Sequence, residues 1–400
     1  MKFLKIPSVK NLKIYDIVMA MLVISSLAFY DVKIIFLGTQ ALAFLVTFIK
    51  VIERRKISNS VFKFIIWVTF FVGYSFLTCL WAKDYNTTAV TVSMSTAQVG
   101  LIALCMLIYS DTESKNNYLI NLFVIASVIL SIRFFVEIPP NSWGKMERFS
   151  DDTIFGGNTT AMTLSFAAVM LFYKSYMVRA KKGHSPLTFI FICLFIFITI
   201  LMGTKKGLLI VALGIGMIYI FNSKNPIKLI FRLITIVIVT IIAYVAIMNI
   251  PLFYSSIGYR IEGLFANFIG GKADSSTISR SAFIRDAFRV FKENPILGVG
   301  QDGYRYVNQY ERTYSHCNYT EILSNLGIIG FGIYYSVYIY SLTKAIKNLK
   351  TCILPLTLTV CILIIQTALV SYNDEMSYII LAICMVMLNQ ENNRNVQKSY

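Results

Sequence analysis

The chain has 400 residues, of which 56% are hydrophobic and only 14% charged, and its mean hydropathy is +0.66. That balance excludes an ordinary soluble domain and points to an all-α polytopic integral membrane protein. The net charge of +17 is carried mostly on short segments between apolar runs, so it reads as membrane topology and contact with anionic lipid, not nucleic-acid binding.

At roughly 20 residues per crossing, about twelve spans are expected, at 14–29, 32–49, 61–81, 93–109, 118–137, 158–177, 187–203, 207–221, 229–250, 320–342, 352–370 and 377–389. The shortest are 207–221 and 377–389. Lys2 to Lys13 is too weakly apolar for a cleaved signal, so the first span is expected to stay in place. With both termini placed inside, 22 of the 37 Lys and Arg fall on cytoplasmic segments and seven on short external ones. That is the positive-inside bias. The expected organisation is nine spans with short loops over 1–250, a long extracytoplasmic loop carrying short helices over 251–319, three spans over 320–389 and a cytoplasmic tail at 390–400.

Six of the seven cysteines lie in or beside spans and read as small apolar residues; only Cys317 lies outside, so no external disulfide framework is expected. The two histidines, His184 and His316, fall on opposite sides of the membrane. A metal site is therefore not expected, nor is any cofactor.

Arg133 is the first charged residue out of place, in the outer part of a span about one turn before Glu137. Two readings stand: it snorkels outward, or it faces a central cavity. The polar, turn-rich loop that follows is bracketed by Arg148 and Asn158. Further on, Thr204-Lys205-Lys206-Gly207 reads as a tight external hairpin. Two lysines there run against the positive-inside tendency, for which an anionic ligand gives a reason.

The stretch from Ile278 to Tyr335 gathers the remaining unusual residues. A helix over Arg280 to Lys292 puts Ile284, Ala287 and Phe291 within about 40° of Arg280 and turns Arg285, Arg289 and Lys292 the opposite way. Arg280 thus sits on the apolar face, where a guanidinium is costly unless it meets an anion or a wet cavity. Glu293-Asn294-Pro295 ends that helix, and Gly298 and Gly300 allow a sharp turn. Asn318-Tyr319-Thr320-Glu321 reads as a capping box opening a helix that continues into the membrane through Ile328 to Tyr340. His316 lies just before that helix start, whose partial positive charge disfavours imidazolium and leaves a neutral ring able to accept a proton. Glu311 and Glu321 lie near enough in sequence to orient it.

RFSDDTIFGGN (148–158), GTKKGLL (203–209), SRSAFIRDAFRVFKENPILGVG (279–300) and SHCNYTEILSNLGIIG (315–330) resemble, in order and spacing, the O-antigen ligase and polysaccharide polymerase superfamily over roughly residues 140–340. The resemblance implies a metal-independent, membrane-embedded glycosyltransferase moving a glycan from undecaprenyl pyrophosphate to an acceptor hydroxyl at the outer face of the cytoplasmic membrane. Displacement at the anomeric carbon would invert it. Arg280 would be the family's loop arginine, His316 its essential histidine, and Lys205 or Lys206 its hairpin arginine, with Arg148 as a further donor-binding cation. Asn158, Asn318, Glu321 and Arg133 would support the site. Lysine replaces the hairpin arginine, Cys317 is inserted between histidine and asparagine, and Phe283 or Phe288 stands where tryptophan is usual.

The chemistry suits these residue types. A pyrophosphate leaving group beside lipid needs fixed cations, and a sugar hydroxyl benefits from a neutral base. No pair of catalytic carboxylates stands out as a glycosidase would require. The expected activity is a repeat-unit polymerase for capsule or O-antigen, with partners that include donor and acceptor glycans, membrane lipids, a flippase and a chain-length regulator. A ligase transferring finished glycan to lipid A core shares the same constellation. A lipid-linked sugar flippase is the alternative of another class; such proteins show internal repeats and midplane charge, whereas here no repeat is visible and the unusual charges gather at one face.

Overall fold

The structure is a computed structural model that describes residues 13–54, 58–84, 88–144, 156–178, 186–223, 225–268 and 275–398. Among the described residues it is all-helical: α1 (Ile14–Ala28), α2 (Lys33–Arg54), α3 (Asn59–Thr78), α4 (Val90–Tyr109), α5 (Glu113–Glu137), α6 (Gly157–Tyr173), α7 (Pro186–Leu201), α8 (Lys205–Phe221), α9 (Pro226–Asn249), α10 (Pro251–Phe253), α11 (Tyr259–Phe268), α12 (Ser275–Glu293), α13 (Tyr304–Val307), α14 (Asn318–Lys347), α15 (Ile353–Ile365) and α16 (Glu375–Lys398). Every expected span overlaps one of these helices. Six of them, α2, α3, α4, α5, α9 and α14, are long and apolar enough to cross a membrane, and α1, α7, α15 and the first part of α16 are shorter apolar helices. The protein is a multi-pass membrane protein.

The chain divides into two compact units. One comprises residues 1–42, 113–272 and 348–361. Within it α6 packs on α7 and α8, and α1 packs on α5. Small residues make these approaches close: a Cβ on Gly207 would meet Thr199 Cγ2 at 2.6 Å, and one on Gly214 would meet Val169 Cγ2 at 2.4 Å. Beyond Arg232 helix α9 is apolar all round, and only Ile247 is buried, the pattern of a helix solvated by lipid rather than by protein.

The other unit comprises residues 43–112, 273–347 and 362–400. Here α4 packs on α16 and α3, and α14 packs on α12 and α3. Its interior is aromatic: Trp67 donates its indole N–H to Ile333 O at 2.9 Å, and Phe71, Tyr334, Tyr338 and Tyr378 are fully buried. Buried tyrosines need partners for their hydroxyls. Gln366 supplies one set, its amide nitrogen lying 3.2 Å from Tyr334 Oη and 3.4 Å from Tyr338 Oη.

Helix α12 runs from Ser275 to Glu293 without Gly or Pro and stops where Asn294-Pro295 was expected to stop it. Helix α14 is interrupted once, at Gly327, with φ 64° and ψ −168°, a backbone region open essentially to glycine alone.

Candidate active site

Helix α12 buries Phe283, Asp286, Ala287 and Val290. Arg280 is half-buried at the edge of that face, so the expected phase is rotated by part of a turn rather than reversed, and Arg285 and Lys292 are exposed as expected. Arg289 departs from a simply solvated side chain. It donates from Nε to the buried Asp286 at 2.9 Å and from Nη1 to Glu293 at 2.8 Å, and the two carboxylates hold its guanidinium even more firmly protonated than usual. Asp286 in turn accepts from Gln309 N at 3.3 Å. This couple ties the 307–309 segment to α12.

The glycines after α12 serve one junction. Residues 295–300 lie alongside 324–329 of α14 and exchange backbone hydrogen bonds with them: Val299 N to Ser324 O and Gly300 N to Asn325 O at 2.9 Å, and Ile328 N to Pro295 O at 2.9 Å. Approach is so close that a Cβ on Gly298 would meet Asn325 O at 2.4 Å and one on Gly327 would meet Ile296 O at 2.2 Å. The break in α14 frees the helix backbone groups that the turn then satisfies. Thus two sequence motifs, NPILGVG and the one around Gly327, are the two sides of a single contact.

His316 follows from the same scaffold. Its φ of 60° is left-handed, a conformation costing a non-glycine residue about 1–2 kcal/mol, and the surroundings over-determine it. Ser315 N donates to Glu321 Oε2 at 2.6 Å, Ser315 Oγ donates to Cys317 O at 3.0 Å, and Cys317 O also accepts from Glu321 N at 2.9 Å. The half-buried imidazole lies 4.3 Å from the Tyr314 ring and 5.8 Å from the Phe283 ring, centroid to centroid. Phe283 is one turn along α12 from Arg280, so the same helix face carries the arginine and the ring against which the histidine packs. Of the two phenylalanines at the expected tryptophan position, Phe283 makes this contact, while Phe288 is exposed.

The expected capping box is not made. Asn318 and Glu321 are both fully buried, and buried groups take tertiary partners over local ones. Asn318 Oδ1 accepts from Ser371 N at 2.9 Å and Tyr372 N at 3.1 Å, its Nδ2 donates to Tyr335 Oη at 3.0 Å, and its backbone N–H donates to Gln366 O at 2.8 Å. Asn318 thereby holds the α15–α16 connection, and Glu321 holds the backbone before His316. Asn325 completes the set, donating to Glu321 Oε1 at 2.9 Å and accepting from Tyr304 N at 2.7 Å.

Sequence reasoning passed over the segment Gln301-Asp302. Asp302 is buried, has φ 54° and lies 3.1 Å from Arg305 Nε; burial raises its carboxyl pKa although Arg305 opposes the shift. Gln301 donates to Tyr372 Oη at 3.2 Å. An aspartate beside glycines reads as an ordinary turn in sequence, and no signal marked it as buried.

In the other unit, the turn before α8 falls two residues earlier than the expected spans place it. Lys205 and Lys206 are not in a hairpin but are the first two residues of α8, because Gly203 turns the chain at φ 63° and Thr204 already occupies the cap position. Two ammonium groups beside the positive end of a helix repel it, and an anion relieves that repulsion. Arg260, not singled out in the sequence, donates from Nη1 to Gly203 O at 2.9 Å and from Nε to Tyr259 Oη at 2.8 Å. Arg133 is engaged by protein groups. Its guanidinium makes a two-pronged pair with Asp31 at 2.8 Å on each prong, donates to Glu137 at 2.8 Å and to Ala28 O, and lies over the Phe29 ring. Arg133 therefore clamps the α1–α2 turn to α5. Asn158 is half-buried in the first turn of α6, and Arg148 lies outside the described residues.

Residues 189–335 match the protein family described as O-Antigen ligase. Over this stretch the chain is similar to an O-antigen ligase domain. The stretch contains Lys205, Lys206, Arg280, His316, Asn318 and Glu321, and leaves out Arg133, Arg148 and Asn158. The match supports the likeness of the sequence to the ligase and polymerase superfamily, and with it a glycosyltransferase-like activity of the ligase or polymerase type. No curated protein matches the chain.

Proposed function

We propose that this protein polymerises undecaprenyl-pyrophosphate-linked repeat units of a capsule or O-antigen at the outer face of the cytoplasmic membrane. Its catalysis needs no metal, and both termini are cytoplasmic. The observation that carries the reading is His316, strained into a left-handed conformation by Glu321 and seated on Phe283, one helical turn from a half-buried arginine, all inside the stretch that matches the O-antigen ligase family.

The acceptor hydroxyl gives its proton to the neutral imidazole as its oxygen bonds to the anomeric carbon of the donor. The bond from that carbon to the phosphate oxygen breaks, and undecaprenyl pyrophosphate leaves with the electron pair. Arg280 offers fixed positive charge to the reacting phosphate, and Lys205 and Lys206 serve donor binding through their charge at the start of α8. Arginine engages phosphate with two parallel hydrogen bonds, whereas lysine acts as a point charge.

Purified protein given only lipid-linked repeat units tests this reading. A ladder of products spaced by one unit supports it. Product formed only when lipid A core is added would make the protein a ligase. No transfer in detergent, where no gradient exists, would favour a flippase. In the cell the donor would come from a flippase, with a chain-length regulator as a further partner.

A further inference from the structure

Beside His316 lies an aromatic surface to which the proposed chemistry gives no part. The Tyr310 ring stands edge-on to Phe283, 5.8 Å away at 84°, and Phe283 packs on His316, which packs on Tyr314. Tyr310 is 58% exposed and Tyr314 39% exposed. Large exposed rings on a loose loop would need no explanation. This loop is not loose. Asn308 Oδ1 accepts from Tyr310 N at 3.0 Å, Asn308 Nδ2 donates to Thr313 O at 3.2 Å, and Gln309 N is held by the buried Asp286.

We propose that Tyr310 and Tyr314, the exposed rings on either side of the buried Phe283 and its neighbour His316, form the acceptor subsite, stacking on the apolar face of the pyranose ring whose hydroxyl His316 deprotonates. This inference rests on the proposed glycosyl transfer and names the determinant that holds its acceptor. One face of a pyranose presents C–H bonds polarised by the ring's oxygens, and the face of an aromatic ring carries the complementary negative charge. Dispersion across the stacked area adds to this. Arg312 is drawn onto the Tyr306 ring instead, 4.3 Å from its centroid. That suits a neutral ring better than a phosphate. A loop already fixed before binding spares the complex the cost of ordering it.

The test uses full-length protein in detergent, with lipid-linked donor and a fluorescently tagged, lipid-free repeat-unit oligosaccharide. Having no phosphate to leave, the tagged sugar can only accept. Tyr310→Ala and Tyr310→Leu should raise KM for that acceptor about fivefold to tenfold, with kcat and the donor KM within twofold of wild type. Tyr310→Phe, which keeps the ring, should stay within twofold throughout. An unchanged acceptor KM in active Tyr310→Ala, the outcome for a ring that only anchors the loop at the membrane interface, overturns the subsite alone. So does an increase confined to the donor KM. Wild-type protein that transfers nothing overturns the reaction itself and the subsite with it.

Discussion

His316 and Arg280 stand out in the sequence because their residue types conflict with their surroundings, an imidazole at a helix start and a guanidinium near an apolar face. Their roles make opposite demands on substitution. Arg280→Lys should lose most activity, since a lysine keeps the charge but not the paired donors, whereas Arg285→Ala, at an exposed position, should change it less than twofold. Initial transfer rates on the purified variants check this, and the reverse pattern would place the phosphate on the other face of α12. Asp31 is the counterpart for stability. The hydrogen-bonded Arg133 holds its carboxyl below the usual value, so its contribution is fully present above the unfolded pKa of about 3.9 and is lost as pH falls through the lower folded value. Asp31→Asn should destabilise the protein at neutral pH by about 2–3 kcal/mol. Thermal midpoints measured from pH 7 down to pH 3 should fall less steeply in that variant than in wild type. The partner of Arg133 was not legible, because nothing in a hydropathy pattern shows that Asp31, about a hundred positions away, comes to meet it.

Helix positions follow from local information, since apolar length and helix-stopping residues act within a few residues, and α12 ends where its Pro295 requires. What terminates or breaks a helix from outside does not. The capping box at 318–321 satisfies the local pattern, yet both side chains are recruited by residues 315, 325 and 366–372. Gly327 gives no sequence sign that α14 is interrupted there; the demand comes from the turn at 295–300. Gly327→Ala should therefore prevent folding, because both its backbone conformation and the carbonyl of Ile296 exclude a Cβ. Gly332→Ala, with nothing within 4 Å of the added Cβ, should be tolerated. Monodisperse protein recovered on size-exclusion chromatography separates the two, and normal recovery of Gly327→Ala would mean that the junction is not required.

For the whole molecule, composition alone specified a multi-pass helical membrane protein, because an apolar fraction of 56% has few other ways to fold. The division into two discontinuous units was not legible, since it depends on pairings between distant segments. The motifs were more informative than any single residue: GVG, the histidine and the late glycine gain meaning once the turn and the broken helix are seen to be one structure. The central claim is that His316 is the base of a glycosyl transfer. It is tested most directly by comparing wild type with His316→Ala, both purified and equally folded, on lipid-linked repeat units. The account predicts a product ladder from wild type and none from the variant; full activity in His316→Ala would contradict it.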